Sequence, residues 1–195
     1  ENMKIDTSGD GPQILIYHTH SQEGYKDSKA GDAKTSVIGV GDRLTELLEE
    51  KGFKVLHHKG KYDVGKRDRA YSVAASNLQK ILEENPSIQV VIDLHRDGVA
   101  ESTHLVTEQN GKKMAQIMFF NGLSRTTATG DIAYLKNPYI ADNLAFSFQL
   151  EYQAALYYPD FYRGIYLAGL RYNLHLRKRA LLLEAGAQTN TVQEV

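Results

Sequence analysis

Ile88-Gln89-Val90-Val91-Ile92-Asp93-Leu94 is a mostly apolar, β-branched run that leads straight into His95-Arg96-Asp97. Such a run suits a strand covered on both faces, and what precedes it decides the fold class. Just upstream, Pro86 stops a helix predicted over about Arg67 to Glu84, with Ala70, Val73, Ala74, Leu78, Ile81 and Leu82 on one face. Before that helix come a polar loop from Lys59 to Gly65 and a strand from Phe53 to His57. Gly52 ends a helix predicted over residues 35–51, whose Val37, Val40, Leu44, Leu47 and Leu48 recur at helical spacing. Ile14-Leu15-Ile16-Tyr17 is the first strand. The order strand, helix, strand, helix, strand implies right-handed crossovers and an α/β fold with a mainly parallel sheet flanked by helices.

Downstream, the extended runs His104 to Glu108 and Met114 to Asn121 flank Gln109-Asn110-Gly111-Lys112. Asn-Gly is a strong turn signal, which predicts an added hairpin or pair of edge strands. Ser124 to Asn137 reads as a loop, Pro138 opens a helix that runs to about Tyr157, and Ala180 to Glu184 is the last strand. No internal repeat interrupts this order. A polar lead over residues 1–12 therefore precedes a single domain over residues 13–195.

The 195 residues are 42% hydrophobic and 24% charged, which excludes a disordered chain and two separate cores. With no cysteine, neither a disulfide scaffold nor an all-thiolate zinc site can form. The 23 basic and 24 acidic side chains nearly cancel, so no broad positive field draws nucleic acid. No run approaches the roughly 20 apolar residues of a membrane helix. Because the chain opens at Glu1 without an initiator Met, it reads as a processed fragment, and the lack of an anchor or export signal within it proves nothing.

In open parallel sheets, ligands gather beyond the carboxyl ends of strands. Three strands here end in ionisable residues. The first runs into His18-Thr19-His20-Ser21-Gln22-Glu23, the third into His95-Arg96-Asp97, and the last ends at Glu184. Two imidazoles and a carboxylate are a familiar zinc set that leaves one position open. His20 and Glu23 form a local H-x-x-E pair, and His95 supplies the distant third ligand. Manganese or iron suits the same atoms, whereas calcium and magnesium prefer oxygen alone. His18 competes with His20, since residues 18 and 20 share a face if the strand continues. It can ligate or can steady another group, and His20 is preferred for its partner Glu23. Glu184 emerges from a buried strand as a general base, against the alternative of pairing with Arg171, Arg177 or Arg179. Asp97 is a candidate acceptor for His95, and Arg96 a candidate stabiliser of developing negative charge. His57 and His58 read as solvated, His104 and His175 as structural, and Lys34, Arg43, Arg67 and Arg69 as ordinary surface charges. The aromatic residues from Tyr152 to Tyr172 suit either a groove for sugar or peptide or core and rim packing.

These segments, with Arg163-Gly164-Ile165, Arg171-Tyr172-Asn173 and Leu183-Glu184-Ala185-Gly186, resemble the stage II sporulation protein P family over nearly the whole chain. Glu23-Gly24-Tyr25 departs from the family's commoner Glu-Ser-Tyr without touching a proposed ligand. The resemblance implies a zinc-dependent N-acetylmuramoyl-L-alanine amidase acting on peptidoglycan during engulfment, with associated endopeptidase activity. It implies zinc on His20, Glu23 and His95, with Glu184 as the catalytic carboxylate. It further implies a glycan-cleaving partner, stage II sporulation protein D, and membrane-anchored, extracytoplasmic action. The H-x-x-E turn and late glutamate are also similar to zinc carboxypeptidases, the rival activity. A wall-binding domain without chemistry is a third reading, ranked last because every candidate ligand and the base are present.

Overall fold

A computed structural model describes residues 3–65 and 67–195. Strand β1 (Ile14–Tyr17) is buried at all four positions because it lies inside the sheet, between β2 (Val55–His57) and β3 (Val90–Asp97). Helix α1 (Val37–Glu50) starts where the Ser36 hydroxyl accepts from the Ile38 N–H, satisfying a free donor of the first turn. It ends just before Gly52, whose φ of +87° few other residues adopt cheaply. Helix α2 (Ala70–Glu84) buries Ala70, Ala74, Leu78 and Leu82, one residue per turn, against Leu15, Tyr17 and Val91. A short 3-10 turn, Arg67–Arg69, precedes it, so the regular helix begins three residues later than its sequence pattern suggests.

Four strands run parallel in the order β2, β1, β3 and β10 (Arg179–Ala187). Beyond β10 lie β6 (Ile117–Gly122) and β9 (Tyr162–Ala168), parallel to each other and antiparallel to the rest. The fold is a mixed α/β single domain with a mainly parallel central sheet. Helix α2 covers one face; α1 and α3 (Ile140–Tyr157) cover the other, where Val40, Leu44, Phe146 and Leu150 pack on Ile14, Ile16 and Leu181.

Several details correct the sequence reading. The run from Met114 to Asn121 is two strands: β5 (Lys112–Ala115) forms the hairpin with β4 (Val106–Gln109), while β6 joins the central sheet. At the hairpin's turn Asn110 and Gly111 both have positive φ, as an inverted two-residue turn demands. Strand β9 was not predicted, because Gly164, at a φ of +96°, and an irregular pairing with β6 erase the period-two alternation. Finally, β3 continues three residues past Leu94, so His95 and Asp97 belong to the strand rather than to a loop after it. Between Arg125–Thr126 (β7) and Gly130–Asp131 (β8), the predicted loop carries a minimal hairpin. No helix among the described residues is long and apolar enough to cross a membrane.

Candidate metal centre

The parallel strands β1, β3 and β10 deliver their carboxyl ends to one edge, and register sets the level. His95 of β3 is paired directly with Glu184 of β10, and paired residues project from the same face of a sheet. On β3 that face also carries Asp93, two residues earlier. After Tyr17 the chain leaves β1 in a tight turn that carries His20 and Glu23 back over the end of β3.

His20, Glu23 and His95 each turn one ligating atom to a common point, with these atoms within 4.8 Å of one another. His20 Nδ1 is 3.5 Å from Glu23 Oε1, and His95 Nδ1 is 3.2 Å from Glu23 Oε2. The two imidazole rings meet edge to face, with centroids 5.1 Å apart. Glu23 and His95 are buried and His20 is partly open to solvent, so the cluster has one accessible side. Burial works against charge on Glu23, but the neighbouring imidazoles of His20 and His95 and the Arg96 N–H outweigh it and keep the carboxylate ionised far below its usual range. Burial also opposes charge on His95, yet the carboxylates of Asp93 and Glu23 prevail and raise its pKa well above normal. Two imidazoles and a carboxylate held together, with negative charge in excess, suit a divalent cation of zinc's type.

The turn is held from outside. Asp63 accepts from the Ser21 hydroxyl at 2.8 Å and the Gln22 N–H at 3.1 Å, and Tyr25 donates its hydroxyl to the Ala185 carbonyl at 3.1 Å. Arg96 spends its guanidinium on the carbonyls of Gly24 and Asp97, while its N–H donates to Glu23 Oε2. Arg96 thereby braces Glu23.

Asp97 does not hold His95. Its carboxylate receives Arg163 at 2.6 Å and the Gly98 N–H at 2.7 Å. The residue against His95 is Asp93, missed in the sequence although period-two spacing could have found it. Asp93 Oδ1 lies 2.9 Å from His95 Nε2, and the same carboxylate accepts from the Thr19 N–H and hydroxyl. The His95 contact is off the line of a good hydrogen bond, so charge attraction dominates it. Tyr71 was also missed. Its ring stands edge to face with His20 at 5.5 Å and parallel to His95 at 6.5 Å, making an aromatic wall on α2.

Glu184 is a half-buried carboxylate whose Oε2 is enclosed without a hydrogen-bond partner. Burial foremost, with Glu23, Asp97 and Asp93 nearby, pushes its pKa up to about 7 despite the opposing pull of His95. The arginines that competed for it contact other groups: Arg171 the Lys136 carbonyl, Arg177 those of Leu82, Ile88 and Leu176, and Arg179 that of Lys4.

His18 lies apart from this cluster. Its Nδ1–H donates to the Leu94 carbonyl at 2.8 Å, and its Nε2 meets His57 Nε2 at 2.8 Å, so both ring nitrogens are occupied. His57, expected to be solvated, is partly buried there and reaches Asp42 through Nδ1. His104 is half exposed and paired with Glu194 rather than set among apolar groups. Arg67, expected to be a surface charge, donates from Nη2 to both Glu23 Oε1 and His20 Nδ1.

The sequence model of one family, Stage II sporulation protein P (SpoIIP), matches residues 1–195. The chain belongs to that family. A curated relative, the stage II sporulation protein P of Bacillus subtilis (strain 168), is 27% identical over 97% of the chain, and the chain spans about half of that relative's length (49%). Among solved structures, an N-acetylmuramoyl-L-alanine amidase from Clostridium difficile 630 aligns with a TM-score of 0.45 and 15% identity, covering 90% of this chain and 80% of its own. The amidase Ami1 from Mycobacterium smegmatis aligns with a TM-score of 0.45 and 12% identity, covering 94% and 86%.

Proposed function

We propose that this SpoIIP-family chain is a zinc-dependent peptidoglycan hydrolase that cleaves the amide between N-acetylmuramic acid and L-alanine, in the wall remodelling of sporulation. The observation that carries the reading is the convergence of His20, Glu23 and His95 beside the enclosed, unpartnered Oε2 of Glu184. A divalent ion held by those three residues would polarise the scissile carbonyl and acidify an attacking water. Glu184 accepts the water's proton and returns it to the departing nitrogen, a task favoured by a pKa near neutrality. Asp93 keeps His95 in orientation, Arg96 and Asp63 hold the turn that presents His20 and Glu23, and Tyr71 shields the imidazoles from water on the α2 side. Membership in a sporulation family supports wall substrate and extracytoplasmic action. An anchor outside this chain and a glycan-cleaving partner, stage II sporulation protein D, complete the proposal.

Mass spectrometry of purified peptidoglycan after digestion, with and without a chelator, tests it. The expected products are intact stem peptides and peptide-free glycan, lost on chelation. Release of single amino acids instead identifies a carboxypeptidase, cross-link opening alone identifies an endopeptidase, and no release from a zinc-loaded chain identifies a binding domain. Glu184→Gln should retain zinc and lose turnover by about 10²–10⁴-fold. Normal digestion by that variant would remove Glu184 from the mechanism.

A further inference from the structure

Arg67 stands in an unusual place for a side chain that is 57% exposed. One nitrogen, Nη2, donates to Glu23 Oε1 at 2.9 Å and to His20 Nδ1 at 3.2 Å. A guanidinium has donors only, so His20 Nδ1 must present its lone pair and carry its proton on Nε2. Those two atoms lie 3.5 Å apart, inside the cluster of His20, Glu23 and His95 on which a cation at the centre would draw. A lone pair cannot serve both partners, and a divalent ion at the same point would repel the positive guanidinium.

We propose that Arg67 is an exchangeable cation of the centre: its guanidinium and a divalent metal compete for His20 and Glu23, so loading is an exchange of one positive group for another. This rests on the metal centre proposed above. Position makes the exchange feasible. Arg67 opens the 3-10 turn ahead of α2, outside the regular helix, and its side chain lies largely in solvent, so it can swing away without unpacking the core. Its partner Glu23 is buried and braced by the Arg96 N–H, and stays behind when the arginine leaves. Before loading, the guanidinium offsets the surplus negative charge of Glu23 and Asp93 and keeps the His20 lone pair aimed at the centre. After loading, it is free at the mouth.

The test is titration with zinc alone, by competition with a chromogenic chelator, of wild type, Arg67→Gln and Arg67→Lys, alongside thermal melting in chelator and in excess zinc. Arg67→Gln should bind zinc about tenfold more tightly, the counterpart of about 1.4 kcal/mol. Arg67→Lys, which keeps the charge but not the fork, should fall between. Chelated Arg67→Gln should melt below chelated wild type, and the gap should close in zinc. Equal or weaker zinc binding by Arg67→Gln overturns the exchange while leaving the metal centre standing. Absence of zinc binding by all three proteins overturns the centre and the exchange with it. Should Arg67→Gln fail to fold, the Arg67→Lys affinity decides alone: tighter than wild type supports the exchange, and equal or weaker refutes it.

Discussion

His18 and His20 sit two residues apart at the exit of β1, and the fold gives them opposite tasks. His18 turns inward, is fully buried, and spends both nitrogens on the Leu94 carbonyl and His57. His20 turns outward, remains partly open, and aims Nδ1 at Glu23 and Arg67. The first ties β1 to β3 and to the end of β2; the second offers a lone pair. An imidazole becomes available to a metal when the fold leaves one nitrogen unclaimed by the protein's interior.

The sharpest way to break this contrast is to remove each ring in turn. His20→Ala should cost more than about 100-fold in zinc affinity with little change in stability, since a directly ligating atom is lost. His18→Asn keeps a donor for the Leu94 carbonyl but abandons His57, so it should lose about 1–3 kcal/mol of stability while zinc affinity changes less than about threefold. Calorimetric zinc titration and urea unfolding read both. A large zinc defect in His18→Asn with none in His20→Ala would reverse the assignment.

A second contrast is that between the two aspartates of β3. Asp93→Asn should weaken zinc by about 10–100-fold, because the charged support of His95 is gone. Asp97→Asn should leave zinc affinity nearly unchanged, since Asp97 serves Arg163. Equal effects would show that position along the strand, rather than contact, governs the ligand.

Gly41 sharpens the buried side. A methyl placed there would come within 2.6 Å of His57 Nε2 and 2.9 Å of His18 Nε2, ring atoms with little freedom to retreat. Gly41→Ala should destabilise by roughly 1–3 kcal/mol in urea, with zinc binding retained by the folded fraction. An unchanged midpoint would mean that α1 can shift away from the imidazole pair.

The last contrast is in pH. Burial lowers the His18 pKa from 6.5 to about 4. Between those values the unfolded chain carries a proton that the folded chain does not, so His18 makes stability fall as pH falls through this window and adds no further loss below it. The full cost approaches about 3 kcal/mol. In chelator, the stability gap between wild type and His18→Asn should therefore narrow from pH 7 to pH 4. Parallel curves across that range would show that His18 is charged in the fold as readily as outside it.

Much of this protein was legible without coordinates. Apolar periodicity located β1, α1, β2 and α2 to within a few residues, and their alternation determined a parallel α/β core, because burial on both faces leaves that pattern in the residues themselves. The same pattern showed that three strands end in ionisable groups, from which His20, Glu23, His95 and Glu184 were singled out. Tertiary structure decided the rest. Which imidazole at the exit of β1 faces inward depends on a turn pinned by Asp63, some forty residues away. That Asp93 rather than Asp97 meets His95, and that Arg67 reaches back to Glu23, are matters of distance between segments far apart in the chain. Strand β9 escaped notice because its glycine breaks the alternation that local patterning requires. Burial writes a repeating signal into neighbouring residues, whereas a contact between remote side chains writes none.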